Sequence, residues 1–224
     1  MGRVIAVDGP SGSGKSSVSK AVGKKLGFLH VDSGALYRIM TYLAIKEGVD
    51  TSSPEEVAKV AEKCDIGLKA EDGTIKYYLG QTCPGDELRT PQINANASYV
   101  ARVKEVRDKI TSLLRSMTQF GDLIVEGRDI TTVVFPDTPA KFFLTASAEA
   151  RAARRQKEEI EKGIATQTTE EVKSSLLKRD EIDSSRKFAP LRKADGVMEI
   201  DSSEMTLDEV INSVLSSLPK EWVL

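Results

Sequence analysis

Residues 9–16 read Gly-Pro-Ser-Gly-Ser-Gly-Lys-Ser, the spacing G-x-x-x-x-G-K-[ST]. Such a stretch suits one kind of chemistry. Its glycines let the backbone curl until successive N–H groups converge on phosphate oxygens, and a following helix adds the positive end of its dipole. Lys15 reaches the outer phosphates, and the hydroxyl of Ser16 can hold Mg2+. Val4-Ile5-Ala6-Val7 before it reads as a buried strand, while Val18, Ala21, Val22 and Leu26 after it share one helical face. That context favours a bound nucleoside triphosphate over a flexible Gly/Ser turn. Gly9, Pro10, Ser11, Gly12, Ser13, Gly14, Lys15, Ser16 and Ser17 form the expected cradle.

A second group of charges lies where a helix should be apolar. Between residues 168 and 186, Val172 and Leu176 begin a stripe that continues at helical steps onto Arg179, Asp183 and Arg186. At about 100° per residue, all five fall within about 80° of one another. Arg179 and Asp183 can be a solvent-facing i, i+4 pair. The alternative is a cleft with two guanidiniums and a carboxylate, a set suited to an anion beside a hydroxyl-bearing group. Two strand ends carry similar residues: Asp32, Ser33, Tyr37 and Arg38 after the run 28–31, and Glu126, Arg128 and Asp129 after 123–125. Asp32 or Ser33 alone is ordinary capping chemistry. Ligands of open parallel sheets bind beyond the carboxyl ends of the strands, however, so together these groups imply a second anionic substrate.

The elements that must position these residues alternate. Apolar runs at 4–7, 28–31, 123–125, 141–144 and 197–200 are interleaved with helical patterns ending at Leu26, over 35–47, 147–161, from about 168, and over 206–217. The chain is therefore expected to be a single α/β domain over 1–224, a parallel sheet wrapped by helices. The 206–217 stripe, Leu207, Val210, Ile211, Val214 and Leu215, reads as core packing without chemistry. Residues 65–90 interrupt the alternation, and Asp72-Gly73 predicts a small antiparallel insertion. Residues 154–170 form either a solvated connection or a lid that excludes water, and Arg151, Arg154 and Arg155 on the helix leading into it are either a solvated charge run or cover a transferring phosphoryl group.

Composition narrows the classes. A net charge of −2 with 29% charged residues gives no basic excess that would point to nucleic acid. The only histidine, His30, sits in a strand-like run and reads as a packed residue, which argues against a Ser-His-Asp or Cys-His relay. Cys64 and Cys83 are far apart and read as reduced thiols. No run is long enough to span a membrane, the start leads directly into a strand rather than a signal peptide, and Ala6 spoils a myristoylation motif at Gly2. A cytoplasmic monomer is expected. A switch GTPase would show Asn-Lys-x-Asp, which does not occur here, and a small-metabolite kinase would have no use for the 65–90 segment. A purely structural role leaves the inward charges unexplained.

The segments DGPSGSGKSS, DSGALYR, EGRDITTVVFPD and KRDEIDSSRKFAPL together resemble the bacterial-type cytidylate kinases, of the P-loop nucleoside monophosphate kinase fold, over essentially the whole chain. The resemblance implies MgATP-dependent phosphorylation of CMP and dCMP, in pyrimidine nucleotide metabolism. It implies that 65–90 belongs to the monophosphate-binding region, and it adds Arg155 to the ATP site. It puts Ser33, Tyr37, Arg38, Arg128 and Arg186 on the phosphate and sugar side of CMP, and Ser98, Arg107 and Asp129 at the cytosine. Arg179 and Asp183 would lie near the ribose and the transferring phosphate, and Lys15, Arg128, Arg179, Asp183 and Arg186 would carry catalysis. Glu126 departs from the family's aspartate, and Asp32, Glu126 and Asp129 all remain candidates to support Mg2+.

Overall fold

A computed structural model describes residues 2–161, 163 and 167–223. Seven strands, β1 (Val4–Asp8), β2 (Leu29–Asp32), β3 (Gly67–Glu71), β4 (Thr74–Tyr78), β5 (Leu123–Gly127), β6 (Ala140–Thr145) and β7 (Met198–Asp201), form one sheet of order β3-β4-β2-β5-β1-β6-β7. All neighbours are parallel except β3 and β4. Strands covered on both faces should be continuously apolar, and β1 shows why. Val4 and Ala6 pack into one hydrophobic cluster while Ile5 and Val7 pack into another.

The second of these clusters is closed by α1 (Lys15–Leu26) and α8 (Leu207–Ser216), through Val18, Val22, Val210, Ile211 and Val214. The first is closed by α2 (Ser33–Lys46), α3 (Pro54–Lys63) and α5 (Lys104–Ser116), through Leu36, Ile39, Met40, Val57, Ile110 and Leu114. Helices α3, α4 (Pro91–Val100) and α5 are absent from the alternation read above. Two of them open on a cap and a first-turn proline, with Ser53 accepting from Glu56 N and Thr90 from Ile93 N. Helices α6 (Ala148–Glu161) and α7 (Thr169–Ser185) pack on each other beside the sheet, sharing the small cluster Ala152, Val172 and Leu176. Thr168 and Glu171 form a capping box that starts α7.

The hairpin at Asp72-Gly73 forms, with both residues at positive φ (51° and 71°) as a two-residue reverse turn requires. It is not a separate appendage, because β4 joins the main sheet beside β2 through the pair His30↔Thr74. Of the segment expected as a lid, residues 162 and 164–166 lie outside the described residues.

Candidate active site

β1, β2 and β5 are adjacent and parallel, so Asp8, Asp32 and Gly127 end side by side and the segments that follow them meet in one cleft of about 930 Å3. The phosphate loop follows β1. Gly9 has φ 150°, and a Cβ there would lie 1.9 Å from the carbonyl oxygen of Leu144, so only glycine fits against β6. Gly14, at φ 89°, ends the loop and α1 begins at Lys15, with no side chain capping it and no acid in its first turn. The first amides of α1 therefore keep their donors for an anion.

Lys15 is buried, with Nζ donating to Pro10 O at 2.6 Å and to Ser13 Oγ at 3.3 Å. Burial, and secondarily the charge of Arg128, lower its pKa to about 7. Ser16 Oγ donates to Glu126 Oε2 at 2.8 Å. The three carboxylates the sequence left open thus have different surroundings. Asp32 caps α2 by accepting from Ala35 N and pairs with Arg38 at 2.7 Å, whereas Asp129 is held by Arg107 at 2.5 Å. Burial pushes Asp32 up, but Arg38, Arg89 and His30 outweigh it and leave its pKa below the usual range. Only Glu126 of the three bonds to the phosphate-loop serine.

Asp8 was not singled out by the sequence. It is fully buried and accepts from Ile130 N at 2.9 Å, Thr131 N at 2.7 Å and Thr131 Oγ1 at 2.6 Å. Burial raises its pKa to about 6, against the pull of those bonds. Asp8 thereby clamps a single π turn, Ile130–Val134, directly behind Asp129. Gly127 has to be bare for the same reason of crowding, since a Cβ would meet Ser33 Oγ at 2.6 Å and Ile130 Cγ1 at 2.7 Å.

Beyond the loop residues, the same cleft is lined by Ser33, Tyr37, Arg38, Ser98, Arg128, Asp129, Arg179, Asp183 and Arg186. Ser33 Oγ donates to Glu126 O at 2.6 Å. Asp183 receives Arg128 Nε at 3.2 Å and Arg186 Nη1 at 3.5 Å, and Arg186 Nη2 lies 3.8 Å from Asp129. Arg186 also donates to Ala189 O at 2.6 Å, and burial followed by Arg107 lowers its pKa. Burial and then Arg128 lower Arg179 to about 10. Arg38 Nε, Arg179 Nε and Arg186 Nη2 are buried with no hydrogen-bond partner among the described residues. Buried guanidinium donors without acceptors, gathered in one cleft, are what an anionic ligand would satisfy.

Several placements differ from expectation. Arg107 does not line the cleft. Its Nη2 bonds to Asp129 and its Nη1 to Ala101 O at 2.9 Å, with the guanidinium 5.3 Å from the Tyr37 ring centroid, so it stands behind Asp129. Arg151 does not line it either; it is buried, donates to Ala146 O and Ser11 O, and pairs with Asp180, which in turn accepts from Ser11 N at 2.9 Å. That arginine fastens the phosphate loop to α6 and α7 rather than covering a phosphoryl group. Arg154 and Arg155 do face the cleft, Arg154 bonding to Ser202 and Arg155 to Glu158 and Glu159. Leu207 is 49% exposed and lines the cleft with Val210 and Met205, so the start of α8 is not only core. Arg89 and Asp86 line it as the only contribution of segment 65–90, and Arg89 approaches Asp32 at 3.8 Å. An arginine after an acidic turn, just before a capped helix, was the available signal for Arg89.

A phosphate-binding loop at the carboxyl edge of a parallel sheet, facing a second pocket of buried guanidiniums, defines a P-loop phosphotransferase with two anionic substrates. Residues 5–220 match the family described as cytidylate kinase. The chain is 45% identical over 215 residues to a cytidylate kinase of Clostridioides difficile (strain 630), covering 96% of this chain and 97% of that one. It is 40% identical over 212 residues to a cytidylate kinase of Shouchella clausii (strain KSM-K16), covering 94% and 93%. An uncharacterized protein from Eubacterium ventriosum ATCC 27560 has a similar fold, with a TM-score of 0.54 at 11% identity over 96% of each chain. The chain belongs to the cytidylate kinase family, and is thereby a nucleoside monophosphate kinase.

Proposed function

We propose that this protein transfers the γ-phosphoryl group of MgATP to CMP, and to dCMP, releasing ADP and the diphosphate. The observation that carries the reading is the set of buried guanidinium donors on Arg38, Arg179 and Arg186 without a hydrogen-bond partner among the described residues, lining the same cleft as the phosphate loop and Asp129. In this reading the triphosphate lies on residues 9–17, with the donor base against Arg154, Met205, Leu207 and Val210 and with Arg155 at its phosphates. The acceptor phosphate meets Arg38, Arg128, Arg186 and Arg89, its sugar meets Tyr37, Ser33 and Asp183, and its base meets Ser98 and Asp129.

A phosphate monoester loses its second proton with a pKa of about 6, so the acceptor is already a dianion at neutral pH and the reaction has no call for a general base. An acceptor oxygen bonds to the γ-phosphorus as its bond to the bridging oxygen of ADP breaks. The protein's share is alignment and charge neutralisation. Lys15 follows the γ-phosphate, while Arg128 and Arg179 meet the equatorial oxygens. Asp183 keeps Arg128 and Arg186 in place.

Ser16 and Glu126 offer hard oxygen donors of the kind Mg2+ takes, and no cluster of three or more potential ligands occurs among the described residues. That fits an ion held mainly by phosphate oxygens and water, with one or two protein oxygens near it. Bound there, Mg2+ would offset charge on the β- and γ-phosphates. No described helix is long and apolar enough to cross a membrane, and the reading has the enzyme working in the cytoplasm as a monomer. The test is a panel of nucleoside monophosphates and small hydroxylated acids, each scored for ADP release with ATP. CMP and dCMP should lead the panel, and a better acceptor from another class would overturn the reading.

A further inference from the structure

None of residues 67–78 lines the cleft, yet the hairpin is fastened to the sheet at a place that leads into the phosphate site. His30 is that place. Its backbone N–H donates to Gly73 O at 2.9 Å, and its carbonyl accepts from Thr74 Oγ1 at 2.9 Å. The side chain is buried, and Nε2 lies 2.9 Å from Glu126 Oε1. The other oxygen of the same carboxylate, Oε2, is the acceptor for Ser16. Hairpin, His30, Glu126 and Ser16 thus form one unbroken chain of contacts that ends on the phosphate loop.

Glu126 has somewhere else to go. Its charge acts on Lys15, and Arg128 follows two residues later with a side chain of the same sign. A glutamate side chain has three rotatable bonds, and without a partner holding it a change at the first two would swing its carboxylate toward those cations. A carboxylate oxygen only accepts, so the His30 atom facing it must be the donor, which fixes the proton on Nε2.

We propose that His30 is a positioning residue of the donor site: its Nε2–H holds Glu126 in the rotamer that accepts the Ser16 hydroxyl, and the β3–β4 hairpin holds His30 from behind. With its hydrogen committed to Glu126, the Ser16 oxygen presents lone pairs to a divalent cation on the nucleotide. The inference rests on the reading of Ser16 and Glu126 as the pair that faces the metal. Outer partners of metal ligands act in this way, by orientation rather than by contact.

The test measures Mn2+ binding to the enzyme–ADP complex by electron paramagnetic resonance, beside the Mg2+ dependence of turnover at saturating ATP and CMP. His30→Leu removes the donor, His30→Gln keeps an N–H at nearly the same reach, and His30→Asn falls one methylene short. His30→Leu should weaken Mn2+ binding and raise the Mg2+ half-saturation about tenfold, with the KM for CMP unchanged and His30→Gln restoring most of the loss. Wild-type metal affinity in His30→Leu overturns the proposal, as does an equal loss in His30→Gln. If His30→Leu does not fold, the Gln and Asn variants decide it: Gln must retain the affinity and Asn must lose it, and equal values overturn it. Glu126→Gln separates the two layers. Unchanged Mn2+ binding in that variant removes the metal reading and this proposal with it, while a loss there with none in His30→Leu removes this proposal alone.

Discussion

Arg107 and Asp129 face each other at 2.5 Å with both side chains buried, Asp129 lining the cleft and Arg107 standing behind it. Arg107 occupies one carboxylate oxygen of Asp129, and the other lies 3.8 Å from Arg186. A buried carboxylate held this firmly presents a fixed acceptor. The N4 amino group of cytosine donates to such an acceptor, whereas uracil would turn its O4 against it. Each buried polar mismatch costs about 1–3 kcal/mol, and more when charge is involved.

Asp129→Asn is accordingly expected to lower kcat/KM for CMP and to narrow the CMP-to-UMP ratio, because the amide can rotate to donate to O4. Steady-state kinetics with both acceptors checks this. An unchanged ratio would move Asp129 from base recognition to support of the Arg107 and Arg186 side chains alone.

Lys15→Met should abolish measurable transfer while leaving the fold intact, since Lys15 is the phosphate loop's only cation. Its lowered pKa adds a sign that can be checked. Between the folded value of about 7 and the ordinary 10.5, the unfolded chain binds the extra proton, so this residue makes stability rise with pH across that window. Nucleotide-free Lys15→Met should therefore exceed wild type in urea unfolding near neutral pH, by a margin that shrinks toward pH 9. A margin independent of pH would contradict the buried, depressed ammonium. Phosphates restore the charge, so ATP binding near pH 8 should take up a proton, seen as calorimetric heats that vary with buffer.

Arg186→Ala removes a buried donor from the cleft, where the proposed acceptor phosphate would lie, and leaves Asp183 and Asp129 less compensated. Loss of one such donor in a closed site costs about 100-fold or more in kcat/KM. A variant within about twofold of wild type would be the behaviour of a surface arginine.

Asp180→Ala tests the brace behind the phosphate loop. It strips the partner from buried Arg151 and the acceptor from Ser11 N. Removing one member of a buried pair destabilises by about 3–5 kcal/mol, and the partial exposure of Asp180 puts the expectation at the low end of that range. Urea unfolding gives the stability, and a raised KM for ATP with little change for CMP would show that the loop, not the acceptor pocket, has loosened.

The sequence carried the phosphate loop, the parallel order implied by alternation, and the turn at Asp72-Gly73, because each is set by local residue types. It also carried the face of α7, where Val172 and Leu176 pack on Ala152 and the same stripe runs on to Arg179 and Asp183 in the cleft, while Arg186 reaches the cleft from the extended residue just past the helix end. What local pattern does not encode is the partner of a charge. Arg151 and Arg155 look alike on a charged helix, yet Arg151 points inward to Ser11 and Asp180 while Arg155 pairs along its own helix. The resemblance put Arg107 at the cytosine, and only the packing of α5 shows it bonded to Asp129 and Ala101 O behind the cleft wall. The docking of the hairpin on β2 rests on contacts between residues 44 and 45 apart, Thr74 on His30 and Tyr77 on Asp32, which no periodicity marks. Leu207 fits the apolar stripe of α8 by spacing, and only the fold shows that the stripe overhangs the cleft.

If the cleft holds two nucleotides at once, one phosphoryl group passes directly between them. Phosphorus-31 NMR of purified protein with MgATP, followed with and without CMP, tests it most directly. CDP and ADP should appear in a one-to-one ratio, with almost no ADP formed while CMP is withheld. ADP and inorganic phosphate accumulating at the same rate in both samples would contradict it.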